Sequence, residues 1–160
     1  MAKPYRITAF VRFNNTIMSS LIRRGVSVGG FALLTVRGRT SGRLIETPVA
    51  LFEQDGQRYL IAAYGLVNWV RNLRAAGGAA SVTRRRETAR IHAVELDPMA
   101  AALILRASLR AGPPGVPAPI VWLYRRYFVL PYLDVSASDP LPAFEREALA
   151  HPVFLVRETP

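Results

Sequence analysis

The sequence predicts an α+β protein built around a small antiparallel β-barrel. Short apolar runs separated by turn residues indicate five or six strands. Two of the connections read as tight hairpins, at residues 53–56, which end in Asp-Gly, and at residues 84–87. Helical periodicity is found at the N-terminus, between the two hairpins and in the C-terminal third. This order favours a closed sheet with flanking helices over a parallel α/β sheet.

The first elements are a helix and a buried strand. Residues 5–24 carry apolar side chains three and four positions apart, which predicts an amphipathic helix within an N-terminal segment, residues 1–24. Residues 31–37 form a short, almost continuous apolar run, which is typical of a buried strand. We therefore expect the chain to pass from a surface helix directly into the barrel.

The next segments surround the Asp55-Gly56 turn. Residues 44–53 and 57–64 are expected as strands because they flank this turn. Residues 67–76 are expected as a helix that ends at Gly77 and Gly78, since glycine readily adopts the left-handed conformation that terminates helices. This helix separates the first hairpin from the second.

The second half contains a further hairpin and three helical segments. Strands are expected at residues 79–83 and 88–96, and a helix at 98–110 begins at Pro98, a favourable first-turn residue. Later segments are an aromatic and basic helix interrupted at Pro131, a loop, a short helix and a closing strand, at residues 120–133, 136–142, 143–150 and 153–157.

Length and composition indicate one domain over residues 1–160. The chain is 51% hydrophobic and 20% charged, enough apolar material for a globular core. Residues 112–119 contain four prolines, but we interpret them as a stiff connector inside the domain because too little chain follows to fold alone.

The charge balance indicates an anionic partner. The net charge is +10, with 21 basic residues against 11 acidic ones. The excess favours a polyanionic cofactor, an anionic membrane face or nucleic acid. Cysteine is absent, which excludes disulfides and thiolate chemistry, and with His92 and His151 as the only histidines we expect no metal site.

The chain carries no apolar run of membrane-spanning length and no cleavable secretory leader, so we expect a cytoplasmic protein. The amphipathic helix at residues 5–24 is flanked by basic residues. Such a helix either packs on its own domain or lies on the cytoplasmic face of an anionic membrane, and the sequence leaves both open.

The strongest functional signal is the segment from Arg37 to Arg43, which leaves an apolar strand. It holds three arginines, two glycines and two hydroxyls, so guanidinium groups, hydroxyls and backbone N–H groups can converge on one anion. The segment predicts a phosphate or carboxylate site.

Other polar and aromatic signals have simpler alternatives. The run Arg84-Arg85-Arg86 is typical of a nucleic-acid patch, but at a hairpin tip beside Glu87 we interpret it as a solvated turn and expect no nucleic-acid partner. Trp69 and Asn72 lie three residues apart on one helix face. Trp69 is either a core aromatic or a ligand contact. His92 is expected to be structural, and His151 has no evident partner.

Taken together, these motifs resemble the deazaflavin-dependent nitroreductase family. The resemblance is carried by Gly38-Arg39-Thr40-Ser41-Gly42, Thr47-Pro48-Val49, Asp55-Gly56 and the run Asn68-Trp69-Val70-Arg71-Asn72-Leu73, and it covers residues 5–97. It implies the split β-barrel fold and the cofactor F-420, an 8-hydroxy-5-deazaflavin. The implied reaction is hydride transfer from the reduced cofactor to a small organic acceptor: a quinone, an activated alkene or a nitro compound.

The resemblance also implies site residues. The cofactor contacts would be Arg37, Gly38, Arg39, Thr40, Ser41, Gly42, Arg43, Pro48, Val49, Ala62, Ala63, Tyr64, Gly65, Trp69 and Asn72. The first seven would hold the phosphate and carboxylates of the cofactor tail, with the N–H groups of Gly38 and Gly42 among the donors. Tyr64 is the candidate catalytic proton donor. The acceptor pocket would be covered by Tyr124, Tyr127 and Tyr132.

Two alternatives and a partner accompany this hypothesis. Family members often carry basic residues where Thr40, Ile45 and Glu46 stand, and their absence here supports an oxidoreductase of the same fold that uses flavin mononucleotide (FMN). A non-catalytic protein that binds the deazaflavin, haem or a fatty acid is the second alternative. Homodimer formation is implied by the family.

Overall fold

A computed structural model describes residues 9–26, 29–112 and 116–160. It contains an antiparallel barrel of six strands: β1 Phe31–Arg37, β2 Leu44–Gln54, β3 Gln57–Ile61, β4 Ala79–Arg84, β5 Glu87–Glu95 and β6 Val153–Glu158. Five α-helices accompany it: α1 Ala9–Arg23, α2 Asn68–Ala75, α3 Pro98–Arg110, α4 Ala118–Tyr124 and α5 Leu141–Ala148. The predicted α+β barrel is confirmed. Residues 1–8 of the predicted N-terminal helix and residues 113–115 of the connector lie outside the described residues.

The strands follow the order β1-β2-β3-β6-β5-β4 around the barrel, and β4 pairs with β1 to close it. Two hairpins, β2-β3 and β4-β5, supply four of the strands. The C-terminal strand β6 enters between β3 and β5, pairing Leu60 with Phe154 on one side and Ala93 with Val156 on the other. Chain segments far apart in sequence are therefore neighbours in the barrel.

Both predicted hairpin turns are present. Asp55 and Gly56 have φ values of 52° and 74°, and Arg85 and Arg86 have φ values of 51° and 69°. Positive φ at both central residues is the geometry that matches the twist of hairpin strands. Arg86 Nε donates to the carbonyl of Arg24 at 2.9 Å, so this turn is also held against the end of α1.

Two apolar cores lie on the two sides of the barrel wall. The barrel interior holds residues such as Leu34, Leu60 and Phe154, together with the inward face of α2. Tyr59 and Ile61, which flank Leu60 on β3, point the other way and pack with α3 and α5. Alternation along a strand thus divides one sequence run between two cores.

The structure shifts several predicted boundaries. The strand expected at residues 57–64 ends at Ile61, because the chain then turns and the carbonyl of Ala62 accepts from the N–H of Gly65 at 2.9 Å. The helix expected at residues 143–150 is α5, which begins at Leu141 because Pro142 is tolerated in a first turn.

The aromatic segment at residues 120–133 is less regular than the predicted interrupted helix. It starts as α4, continues as a π-helical turn, Arg125–Val129, and ends as a 3-10 turn, Leu130–Tyr132. Pro131 has no N–H to continue the helix. Arg125 donates to the carbonyls of Ser108, Leu109 and Ala111 and so covers the C-terminal end of α3.

No helix among the described ranges, 9–26, 29–112 and 116–160, has the length and apolarity needed to cross a bilayer.

Gly78 gives a direct test of this packing. Its φ is 84°, and an added Cβ would fall well inside van der Waals contact with the carbonyl of Ala93 on β5. We expect Gly78→Ala to lower the free energy of unfolding by about 2 kcal/mol or more, through backbone strain and displacement of β5. Gly77→Ala is the matched control, with φ of 60° and open space around the new methyl group. Urea denaturation measures both, and equal losses would contradict the close approach of Gly78 to β5.

Candidate active site

The loop between β1 and β2, residues 38–43, is closed by its own hydrogen bonds. Gly38 N–H donates to the carbonyl of Arg43 at 2.8 Å, and Gly42 N–H donates to the carbonyl of Gly38 at 2.8 Å. The Ser41 hydroxyl accepts from the N–H of Arg43 at 3.3 Å. An added Cβ at Gly38 would meet the Ile45 side chain and the Ser41 hydroxyl, so these side chains would have to move to admit it. Both the Gly38 and the Gly42 N–H groups have acceptors inside the loop, and their binding of an anion stays a prediction.

Asn72 fastens this loop to α2. Its side chain is 3% exposed, and its Oδ1 accepts from Arg39 N–H at 3.3 Å and from Arg39 Nη1 at 2.8 Å. Asn68, one turn earlier on α2, accepts from Arg39 Nη2 at 3.4 Å. The Asn72 side chain thus supports the backbone of the loop, and the guanidinium of Arg39 bridges Asn72 and Asn68.

The loop presents a cationic rim. Arg37 Nη1 donates to the carbonyl of Gly42 at 2.7 Å, which keeps its guanidinium beside the loop. Arg43 and Thr40 are exposed. Glu46 forms an ion pair with Arg23 of α1 at 2.5 Å, so its charge is compensated by a cation outside the loop. Three guanidinium groups around a compact loop suit a phosphate or several carboxylates.

Three predicted contacts, Val49, Ala62 and Trp69, take part in the barrel core. Val49 and Trp69 belong to the barrel interior, where Trp69 is 8% exposed and its ring lies 5.9 Å from that of Phe154. Pro48 precedes Val49 on β2 and opposes Leu33. Because successive strand residues point to opposite faces, Pro48 and Val49 do not share one. For Trp69 the position supports the core alternative.

The segment after β3 brings Tyr64 to the barrel surface. Ala62 is buried, and its carbonyl accepts from Gly65 N–H at 2.9 Å. Gly65 has a φ of 78°, and an added Cβ would lie 3.3 Å from the carbonyl of Ala150. The backbone therefore turns sharply at Gly65, close to the segment that leads into β6.

Three of the predicted tyrosines meet here. The rings of Tyr64 and Tyr132 are nearly perpendicular, with centroids 5.0 Å apart. The Tyr124 hydroxyl hydrogen-bonds that of Tyr64. The Tyr124 ring also packs edge-on against Phe31 at 5.7 Å. We call Tyr64, Tyr124 and Tyr132 the tyrosine cluster. Tyr127 is 63% exposed, and the guanidinium carbon of Arg126 lies 5.9 Å from the centroid of the Tyr127 ring.

Burial keeps the phenols of Tyr64 and Tyr124 protonated. Burial is the main cause that raises the pKa of Tyr64, Coulomb repulsion from Tyr132 adds to it, and the hydrogen bond from Tyr124 opposes it. Burial also raises the pKa of Tyr124, with further contributions from repulsion by Tyr64 and from the hydrogen bond to it. A phenol that stays neutral across the physiological range can donate a proton and does not act as a base.

The structure adds one polar group that the sequence analysis missed. His151 is buried, with Nδ1 3.0 Å from the carbonyl of Ala62 and Nε2 3.2 Å from Glu147 Oε1. A detectable signal exists in the sequence, since Glu147 and His151 are spaced i, i+4 at the end of a helix. The other partner of His151, the carbonyl of Ala62 directly after β3, becomes a neighbour only on folding.

A separate cavity of about 480 Å³ lies between the C-terminal end of α3, α4 and residues 130–137. Its lining is mainly apolar and includes Val121, Trp122 and Arg125, but no member of the tyrosine cluster. The guanidinium of Arg125 already binds the carbonyls at the end of α3.

Comparison with known proteins points to one family. A family model described as F420H(2)-dependent quinone reductase matches residues 8–115, about two thirds of the chain. No curated protein sequence matches.

Solved structures match this chain at low sequence identity. A structure described as a domain-swapped dimer is 20% identical, with a TM-score of 0.50, and the match covers 92% of this chain and 97% of that one. A structure described as F420-H2 dependent reductase (FDR-A) is also 20% identical, with a TM-score of 0.47 and coverage of 80% and 94%. A third, described as F420 reductase, is 16% identical with a TM-score of 0.39 and coverage of 89% and 93%.

The Asn72 anchor makes a measurable prediction. Asn72→Ala removes the acceptor for two Arg39 donors, and we expect the free energy of unfolding to fall by about 1–3 kcal/mol. The amide of Arg39 should exchange with solvent faster, whereas that of Gly38, which bonds within the loop, should change less. Asn68→Ala is the control, because its bond to Arg39 is long and exposed. Hydrogen exchange measured by NMR that leaves Arg39 unchanged would contradict the anchor.

Proposed function

This chain belongs to the F420H(2)-dependent quinone reductase family and is an F-420-dependent oxidoreductase, and from that premise we propose that it delivers the hydride of reduced F-420 to a quinone beside the tyrosine cluster. The observation that carries this proposal is the position of two groups at opposite ends of β1. Phe31 contacts Tyr124 at one end, and the loop at residues 38–43 follows Arg37 at the other.

The spacing of these groups suits an elongated cofactor. Seven strand residues cover roughly 20 Å at 3.3 Å each. An aromatic group that wraps a ring and a cationic rim that attracts phosphate and carboxylates are the two features that a deazaflavin with an anionic tail requires. When bound, reduced F-420 supplies the hydride, so the protein needs neither a nucleophile nor a metal for that step.

The loop residues would hold the tail. Arg37 and Arg43 supply positive charge at the rim, and so does Arg39, which is hydrogen-bonded to Asn72. The Thr40 hydroxyl is exposed and can make a further hydrogen bond. Ala63, Tyr64 and Gly65 would lie beside the ring. Gly38, Ser41, Gly42 and Asn72 support the loop from within, and Val49, Ala62 and Trp69 support the site from the barrel core.

Tyr64 would serve the acceptor. Reduction of a quinone to a quinol adds one hydride and one proton, and a neutral phenol next to the acceptor oxygen can give that proton. Tyr124 hydrogen-bonds Tyr64 and so fixes the phenol orientation, while Tyr132 supplies an aromatic wall. Activated alkenes and nitro compounds need the same hydride and proton, and they remain secondary candidates.

The alternatives are less well supported. The family match favours F-420 over FMN and catalysis over a carrier function. At Thr40, Ile45 and Glu46 this chain lacks the basic residues that family members often carry. The ion pair of Glu46 with Arg23 reduces the repulsion between the Glu46 carboxylate and an anionic tail.

We also propose a peripheral contact with anionic lipid, made by α4 and the π-helical turn. Ile120, Trp122, Leu123, Tyr127 and Phe128 are exposed there. Residues 98–133 contain four arginines and no acid, so this face attracts negative charge as well as apolar surface. A hydrophobic acceptor dissolved in lipid would then meet the protein close to Tyr124. The helix α1 would add to this contact, and a homodimer that covers the face is the competing proposal.

The cofactor site is tested by titration. We expect Arg43→Ala to weaken binding of oxidised F-420 by about 1 kcal/mol, roughly fivefold, because an exposed charge-assisted contact is lost. Arg90→Ala, on an exposed position of β5, removes the same charge elsewhere and should change the affinity much less. A fluorescence titration with FMN in parallel tests the cofactor. Equal effects of the two variants, or tighter binding of FMN, would refute the proposed site.

The proton donor is tested by kinetics. We expect Tyr64→Phe to lower kcat for quinone reduction about tenfold to a hundredfold, while the affinity for F-420 changes little, since only the hydroxyl is removed. Tyr59→Phe is the control, because its hydroxyl bonds Gln57 away from the tyrosine cluster. Because the Tyr64 pKa is raised, wild-type activity should not fall from deprotonation of this group below pH 10. An unchanged kcat would make Tyr64 a wall residue.

The lipid contact is tested by sedimentation with vesicles. The protein should bind phosphatidylglycerol vesicles and not phosphatidylcholine vesicles at moderate salt, and Trp122→Ser with Leu123→Ser should reduce that binding about tenfold or more. Met99→Ser, an exposed apolar residue on α3, is the control. Loss of self-association in the double variant, with no vesicle binding by the wild type, would favour the homodimer.

A further inference from the structure

We propose that His151 and Glu147 form a buried clamp that fixes the positions of Tyr64 and Tyr132 relative to each other and thereby sets the shape of the acceptor pocket. The inference rests on the proposed function of the tyrosine cluster. Neither residue belongs to the predicted site, and both act through backbone groups, so they are positioning residues.

One arm of the clamp holds the segment that carries Tyr64. His151 Nδ1 lies 3.0 Å from the carbonyl of Ala62, two residues before Tyr64. The same carbonyl accepts from the N–H of Gly65. The His151 ring therefore contacts the turn that carries Tyr64, and a movement of the ring would also move that turn.

The other arm holds the segment that carries Tyr132. His151 Nε2 lies 3.2 Å from Glu147 Oε1, and the same carboxylate oxygen accepts from the N–H of Asp134 at 3.1 Å. Asp134 is two residues after Tyr132. The path from Ala62 through His151 and Glu147 to Asp134 thus joins two backbone points, each two residues from a tyrosine of the cluster.

Both side chains of the clamp are buried and depend on their hydrogen-bond partners. The side chains of His151 and Glu147 are 8% and 11% exposed. A carbonyl only accepts, so Nδ1 must carry a proton. Removing either partner leaves a buried polar group without its counterpart.

The clamp matters for the reaction because of where its ends lie. The Tyr64 and Tyr132 rings meet at nearly right angles with centroids 5.0 Å apart, a contact that depends on the separation of their backbones. Proton donation depends steeply on the distance from donor to acceptor, and a displacement of about 1 Å can lower a rate a hundredfold. Releasing one segment from the other would displace the Tyr64 hydroxyl while leaving the cationic loop at residues 38–43 in place.

The test uses substitutions that cut one arm at a time. His151→Gln puts an amide nitrogen near the Nε2 position and keeps the bond to Glu147, whereas His151→Asn puts it near the Nδ1 position and keeps the bond to Ala62. Glu147→Gln keeps an acceptor for Asp134 and is the conservative variant. His92→Gln is the matched control, because His92 Nε2 also bonds a backbone carbonyl, that of Gly77 at 3.0 Å, but on the exposed face of β5.

Two readouts are combined on the full chain. Fluorine NMR of protein labelled with 3-fluorotyrosine reports the Tyr64 and Tyr132 environments without turnover, with resonances assigned by Tyr→Phe substitution. Steady-state kinetics with reduced F-420 and menadione separate kcat from the KM for F-420. We expect both resonances to shift in the two His151 variants, with kcat lowered about tenfold or more and the KM for F-420 within twofold of wild type. Glu147→Gln should be closer to wild type.

Several results would overturn the clamp. They are unshifted Tyr64 and Tyr132 resonances in both His151 variants, a kcat within twofold of wild type despite shifted resonances, and equal losses in His92→Gln, which would indicate a general effect on stability. A wild-type protein that binds F-420 but reduces no quinone would refute the proposed function instead. The fluorine resonances would then decide the clamp alone, shifts supporting it and their absence refuting it.

Discussion

The insertion of β6 between β3 and β5 is the constraint on which the rest of the structure depends. This strand comes from the end of the chain, supplies Phe154 to the barrel interior, and on its other face supplies Val153 to the core shared with α3 and α5. It also brings the preceding residues, Ala150 and His151, against the turn at Gly65. Without this pairing the barrel would have two open edges, and neither the outer core nor the tyrosine cluster would be assembled.

The candidate site combines a rigid polar loop with an aromatic wall. In the loop at residues 38–43 the glycine N–H groups hydrogen-bond to carbonyls of the loop itself, and Asn72 anchors the loop to α2. The guanidinium groups of the loop therefore form a preorganised positive rim. The wall is built from two segments that are distant in sequence, the turn that carries Tyr64 and the segment 120–133 that carries Tyr124 and Tyr132. The positive charge of the loop and the aromatic rings of the wall therefore lie at opposite ends of β1.

The local sequence was sufficient for most elements because hairpin turns and apolar runs are short-range signals. β1 and α3 have the predicted bounds, and both tight turns occur at the expected residues. Segment 120–133 was harder, because its π-helical turn coincides with the binding of Arg125 to carbonyls at the end of α3, a tertiary contact. Trp69 could not be assigned from sequence either, since a tryptophan on a helix face looks the same whether it faces a core or a ligand.

The sequence by itself determined the strand pattern, the basic loop after β1 and, through its motifs, the resemblance to deazaflavin enzymes, because each is written in contiguous residues. Only the tertiary structure decided which donors in that loop are already occupied, that Tyr64, Tyr124 and Tyr132 meet, and that His151 and Glu147 join the segments around them. These facts depend on contacts across as many as 89 positions of the chain. Such contacts exist only once β6 has closed the barrel, and no local propensity encodes them.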